Sequence, residues 1–151
     1  MLNKIRKNLK DKAGFTLVEL IVVLVILAIL AAMLVPALTG YIDKANKQKV
    51  TATTRQVVMA AQTHLSEKYA SAPAGSLTVV PLTVGTEPAA DDMKDIGNLA
   101  EILDSNNKLK NGITSVSITY NNKGVVTRVT VVQSGKTCDY ENGTYTVRAS
   151  G

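Results

Sequence analysis

Residues 20–42 run for 23 positions without a single charged side chain. As an α-helix this run is about 35 Å long, enough to cross the ~30 Å hydrocarbon layer of a bilayer. No water-soluble monomer leaves such a stretch open to solvent, so the segment requires apolar surroundings. Just before it stand Lys4, Arg6, Lys7, Lys10 and Lys12 against Asp11 alone, a net charge of +4 in the first fourteen residues. Basic residues on one flank of a span place that flank in the cytoplasm and the other end of the chain outside.

The leader also changes the meaning of the overall charge. The whole chain carries 17 Lys+Arg against 12 Asp+Glu. Such an excess ordinarily raises nucleic-acid or acidic-surface binding. Outside the leader the count is 12 basic to 11 acidic, with no basic stripe, so no specific nucleic-acid partner is predicted. One cysteine and one histidine exclude an intrachain disulfide framework, a paired CxxC zinc site and a histidine-rich metal centre.

A cleaved secretory signal is a competing reading of the apolar run. Val35-Pro36-Ala37 roughly resembles a small-residue cleavage site. Against this, Pro36 directly precedes the candidate residue, and the run exceeds the roughly 7–15 residues of an ordinary h-region. The run reads as an anchor.

Glu19 is the anomaly. It is the only charge between Phe15 and Ile42. A carboxylate at the centre of a span costs roughly 2.5–3.5 kcal/mol, and less toward the end. One reading lets Glu19 snorkel to the interface. The other gives it a cationic partner once the segment leaves lipid. With no Lys or Arg in the segment, that partner comes from the leader, from another chain, or from a new N-terminus made by cleavage.

Lys12-Ala13-Gly14-Phe15-Thr16-Leu17-Val18-Glu19 resembles the processing motif of type IV pilins and related pseudopilins. That family combines a short basic leader ending in Gly, a cut before Phe, a Glu at the fifth mature position and a long apolar helix. Pro36 and Tyr41 also stand where many pilins carry a helix-kinking Pro and a Tyr. The resemblance is specific over about residues 10–45 and architectural beyond.

The resemblance implies a role for each residue. Gly14 ends the leader and is cut from Phe15 by a membrane prepilin peptidase. Phe15 becomes the N-methylated new terminus. Its amine pairs with Glu19 of a neighbouring copy or of its own chain and sets register during assembly, since an unpaired carboxylate among packed apolar helices is heavily penalised. Pro36 and Gly40 weaken the helix locally. The implied partners are membrane lipid before assembly, further copies of the chain in a helical filament, the peptidase, an assembly ATPase and a platform protein. The implied location is the cytoplasmic membrane, single-pass with the N-terminus inside, and afterwards a surface pilus.

The expected organisation is a removed leader over 1–14, a transmembrane or filament-core helix over 15–42 and an external head over 43–151. The fold class is α+β: one long N-terminal helix, transmembrane and then amphipathic, packed on a C-terminal antiparallel sheet of about four strands. Val50, Thr53, Val57, Ala60 or Ala61, and Leu65 recur every three to four residues, which carries the helix to about residue 70 and a total of about 55 residues. Ala72-Pro73-Ala74-Gly75-Ser76 breaks it. Residues 77–84 hold a short edge strand near Pro81. A short helix follows over roughly 92–103, behind an Asp91-Asp92 cap. Strands are expected over 113–120, 125–132, 137–140 and 144–148, with turns at Asn121-Asn122-Lys123-Gly124 and Glu141-Asn142-Gly143.

The remaining polar residues have plain explanations. Asp91, Asp92 and Asp95 suggest Ca²⁺ only weakly beside their capping role, so no metal is expected. His64 lies beside the helix stripe as a packing or rim residue. Cys138 reads as a small buried side chain, and without a second Cys the last loop departs from the disulfide-closed loop of many pilins. No GxGxxG, Walker, HExxH or GxSxG pattern occurs, so neither cofactor nor enzymatic activity is expected. The favoured function is a major-type pilus subunit serving adhesion or twitching motility. The alternatives are a pseudopilin of type II secretion or of competence (DNA uptake), and a membrane-anchored binding domain that never polymerises.

Overall fold

The computed structural model describes residues 14–71, 82–84 and 91–150. The basic leader, the Ala72-Pro73-Ala74-Gly75-Ser76 breaker and most of the expected 77–84 strand lie outside the described residues. Helix α1 spans Leu17–Ser71. The sheet has five strands: β1 (Leu82–Val84), β2 (Ile113–Tyr120), β3 (Val126–Gln133), β4 (Lys136–Glu141) and β5 (Thr144–Ala149). A second helix, α2, spans Asp91–Leu99. The architecture is the expected α+β layout, with β1 adding a short fifth strand to the four-strand meander. The chain divides into two units, Met1–Ile42 and Asp43–Gly151.

In the first unit α1 presents apolar side chains to the surroundings on every side; Leu20, Leu27 and Leu38 are each more than half exposed. In the second unit the same helix becomes one-sided. Val50, Thr53, Thr54, Val57, Ala60, Ala61 and Leu65 are buried, spaced so that they share one face. Thr54 satisfies its buried hydroxyl by donating to the Val50 carbonyl at 2.7 Å.

Strand order follows chain order, every pair is antiparallel, and the hairpins are short. Ser134 and Gly135 both have positive φ, as do Asn142 and Gly143. Each pair forms the two-residue turn whose twist matches the strands it joins. Register then lines up the inward rows: Val116 faces Val131, which faces Cys138, and Ile118 faces Val129. All five side chains are fully buried. Burial of each aliphatic side chain contributes roughly 1.5–3 kcal/mol. Cys138 is therefore part of the core, in keeping with its reading as a small buried side chain.

Polar side chains tie the helix to the sheet. Gln133 is buried; its Nε2 donates to the Asn111 carbonyl at 3.0 Å and its Oε1 accepts from Thr53 Oγ1 at 2.9 Å. Gln62 accepts from the Val126 N–H and donates to the Gly124 carbonyl, both at 3.0 Å, clamping the β2–β3 hairpin against α1.

The expected helix over 92–103 ends instead at Leu99. Ile102 N–H reaches the Gly97 carbonyl at 2.9 Å and Glu101 N–H the Asn98 carbonyl at 3.1 Å, with Glu101 at φ 55. This is a Schellman stop with Glu where Gly is usual. Ile102 and Leu103 are buried from beyond the helix, and a Cβ on Gly97 would collide with the Leu103 side chain.

Asp92, in the first turn of α2, accepts from Lys68 Nζ at 2.6 and 2.7 Å and lies 3.2 Å from His64 Nε2. Asp91 pairs with Lys94. Of the three carboxylates weighed as a Ca²⁺ cluster, Asp92 is thus held in a helix–helix tie and Asp91 in a local pair. His64 is a rim residue with a specific partner. Lys68 beside Asp92 holds its carboxyl below the usual carboxylate range, against partial burial, and His64 adds to the lowering. A carboxyl lowered in the folded state stabilises fully above its unfolded pKa, about 3.9, and loses that contribution as pH falls through the folded value. Asp92→Asn is expected to cost roughly 1 kcal/mol or less at neutral pH, after discounting for its partial exposure, and nothing well below pH 3. Thermal unfolding of the detergent-solubilised chain at both pH values checks this; an equal loss at both would refute the tie.

Candidate functional site

The start of α1 is built by Thr16 and Glu19. Thr16 is the N-cap and Glu19 the third helical residue. Glu19 N–H donates to Thr16 Oγ1 at 3.2 Å, and Thr16 N–H donates to Glu19 Oε2 at 2.8 Å. The Thr16 hydroxyl also donates to Oε2 at 3.0 Å. This is a capping box, in which two side chains satisfy two backbone donors that a helix start otherwise leaves open. Thr16 is the functional residue that sequence reasoning passed over. The Thr-x-x-Glu spacing was the available signal.

The box engages one oxygen of Glu19. Oε1 has no hydrogen-bond partner among the described residues. Glu19 is exposed, and so are Gly14 and Phe15, the latter with 85% of its surface open. A Cβ on Gly14 would meet nothing within 4 Å. The Gly14–Phe15 bond therefore lies open, two residues ahead of the helix. Cutting it would turn the Phe15 amide into an ammonium group one residue from the Thr16 N–H that already binds Glu19.

Pro36 and Gly40 stand apart from this cluster, about five turns along α1. The helix runs unbroken through both. Thr39 Oγ1 donates to the Val35 carbonyl at 2.7 Å beside the proline. The Ala32 carbonyl faces Pro36, which has no N–H to give it. Gly40 has no neighbour that a Cβ would strike. Among the described residues no group of three His, Cys, Asp or Glu side chains is placed to hold a metal ion.

Residues 9–35 match the family model of the prokaryotic N-terminal methylation motif. The match covers the end of the leader, the Gly14–Phe15 bond, the capping box and the first part of the apolar helix. No curated protein and no solved structure matches the chain. The motif supports a type IV pilin-like or pseudopilin protein, handled as a membrane-anchored precursor by a prepilin peptidase.

Proposed function

We propose that the chain is a structural subunit of a type IV pilus filament, polymerising through α1. The methylation motif in register with the Thr16–Glu19 box at the start of a 55-residue helix carries this reading. The apolar half of α1 is as comfortable among like helices as in lipid, so moving it from membrane to filament changes hydrophobic free energy little. Packing and the Glu19 pair then decide where each copy settles. Gly14 and Phe15 bound the processed bond, Phe15 carries the methylated amine, and Pro36 with Gly40 gives the helix a locally weakened stretch for filament packing. No residue is assigned a catalytic role, and the chain is read as a non-enzyme. The surface pilus is its final location, with adhesion or twitching motility as the role. A pseudopilin of a secretion or DNA-uptake system uses the same chemistry and is the second reading.

N-terminal sequencing of mature material, with electron microscopy of sheared surface protein, tests the proposal. The expected result is a methylated Phe15 start in thin filaments. An intact leader on a permanently membrane-bound monomer would overturn it in favour of a non-polymerising anchored domain. Gly14→Leu is expected to leave the leader attached, because its side chain occupies the open space beside the scissile bond. Mass spectrometry of the membrane fraction would show the uncut precursor, and normal processing of this variant would remove Gly14 from the site.

A further inference from the structure

Copies that enter the membrane with one orientation present parallel heads. Copies in a helical filament are related by a screw operation that does not close on a two-fold axis, so each head must use two different patches, one meeting the other on the next copy. The outward side of α1 in the Asp43–Gly151 unit carries two patches of complementary character.

The first is an exposed apolar patch. Met59 and Leu99 are 62% and 57% exposed and line one hollow with Gln56 and Thr63. Leu99 continues into a second hollow beside Glu67 and Asp95. Neither Glu67 nor Asp95 has an ion-pair partner among the described residues. Two exposed large apolar side chains bordered by two free carboxylates have the composition of an interface centre with a charged rim.

The second is a shallow hollow of about 360 Å³ lined by Lys47, Gln48, Thr51, Ala52 and Arg55. Its floor is partly apolar, and on its rim Arg55 carries the charge left for a partner, since Lys47 is already paired with Asp43 at 2.9 Å. Arg55 is held in place by the Tyr145 ring, 5.2 Å from its guanidinium carbon. A flexible Met side chain suits such an irregular recess.

We infer that the Met59–Leu99 patch of one copy packs against the Lys47–Arg55 hollow of the next, with Glu67 facing Arg55 across the contact. Glu67 lies twelve residues beyond Arg55 on α1, so the pairing requires parallel copies offset along that helix by roughly 18 Å. Helix packing supplies the affinity, and this contact selects the offset by opposing unlike charges there and like charges elsewhere. The inference rests on the filament reading above.

The test is a charge exchange in the full-length chain under conditions where it assembles. Arg55→Glu alone and Glu67→Arg alone are each expected to lower sheared filament yield by about fivefold or more. The two together are expected to restore it to within about twofold of the parent, since each new Arg again meets a Glu. Residues 55 and 67 do not touch within one chain, so rescue reports a contact between copies. A second arm places cysteines by Met59→Cys and Gln48→Cys, eleven residues apart and so level at that offset; oxidation is expected to give a ladder of linked copies in filaments and none in detergent monomers. Normal filaments from Arg55→Glu, or a double variant no better than the singles, would overturn the docking while leaving the filament reading intact. An unsubstituted chain that forms no filaments would overturn both.

Discussion

Glu19→Ala is expected to leave the protein in the membrane and to cut filament formation by at least about thirtyfold, the effect of roughly 2 kcal/mol or more for stranding one partner of a desolvated charge pair. Insertion is spared because removing a carboxylate from an apolar span makes that span cheaper to bury. Assembly suffers because the processed amine of Phe15 then has no anion among the helices. The capping box complicates this test, since Glu19 also closes the helix start through Thr16. Two further variants separate the roles. Thr16→Ala removes the cap, at a cost of about 1 kcal/mol in helix-start stability, and keeps the charge. Glu19→Gln keeps an oxygen for the Thr16 N–H and removes the charge. If charge pairing sets the register, Glu19→Gln behaves like Glu19→Ala and Thr16→Ala assembles with a modest loss. If the cap is the whole function, the order reverses. Membrane fractionation and counts of sheared filaments read both arms, and near-normal assembly by Glu19→Gln would sink the pairing.

The features legible in the sequence are those with short-range signals. Alternation over 113–120, slipping once near Ser115, and the Gly-containing turns at 121–124 and 141–143 bring the strands out within a residue or two of their observed ends. The three-to-four spacing from Val50 to Leu65 marks the buried face of α1 for the same reason. The end of α2 was not legible, because its left-handed stop is occupied by Glu101, and Gly, which advertises such stops, stands at Gly97 inside the helix. The polar ties were hidden for a different reason. Gln133 to Thr53, Gln62 to the β2–β3 hairpin and Lys68 to Asp92 join residues 24 to 80 positions apart. Nothing local distinguishes these side chains from surface polar residues. At the site itself, Gly14, Phe15 and Glu19 are conspicuous in an apolar stretch. Thr16 is not, since a hydroxyl beside them looks neutral until its bonds to Glu19 are drawn.

Gly124→Ala is expected to destabilise the head strongly, whereas the same change at Gly135 is expected to be tolerated. The two glycines have nearly the same backbone, φ +72 and φ +73. Each substitution therefore carries the left-handed penalty of about 1–2 kcal/mol for a residue with a Cβ. They differ in what the new atom meets. At Gly135 nothing lies within 4 Å. At Gly124 the Cβ would stand 2.6 Å from the Leu65 carbonyl oxygen and 3.1 Å from Tyr69 Cβ. Leu65 O belongs to the backbone of α1, beside a fully buried side chain, and cannot swing aside. The hairpin must lift instead. Lifting it breaks the two hydrogen bonds of Gln62 and exposes Tyr120 and Val126, both buried at the base of the turn. The combined loss is about 4 kcal/mol or more, a large share of the roughly 5–15 kcal/mol that holds a domain of ordinary size. Thermal unfolding and limited proteolysis of the two detergent-solubilised variants are the measurement. Equal stability losses would mean that backbone strain alone keeps Gly124 a glycine. A large loss confined to position 124 would mean that the seating of the sheet on α1 depends on this close approach as well as on the polar ties of Gln62 and Gln133.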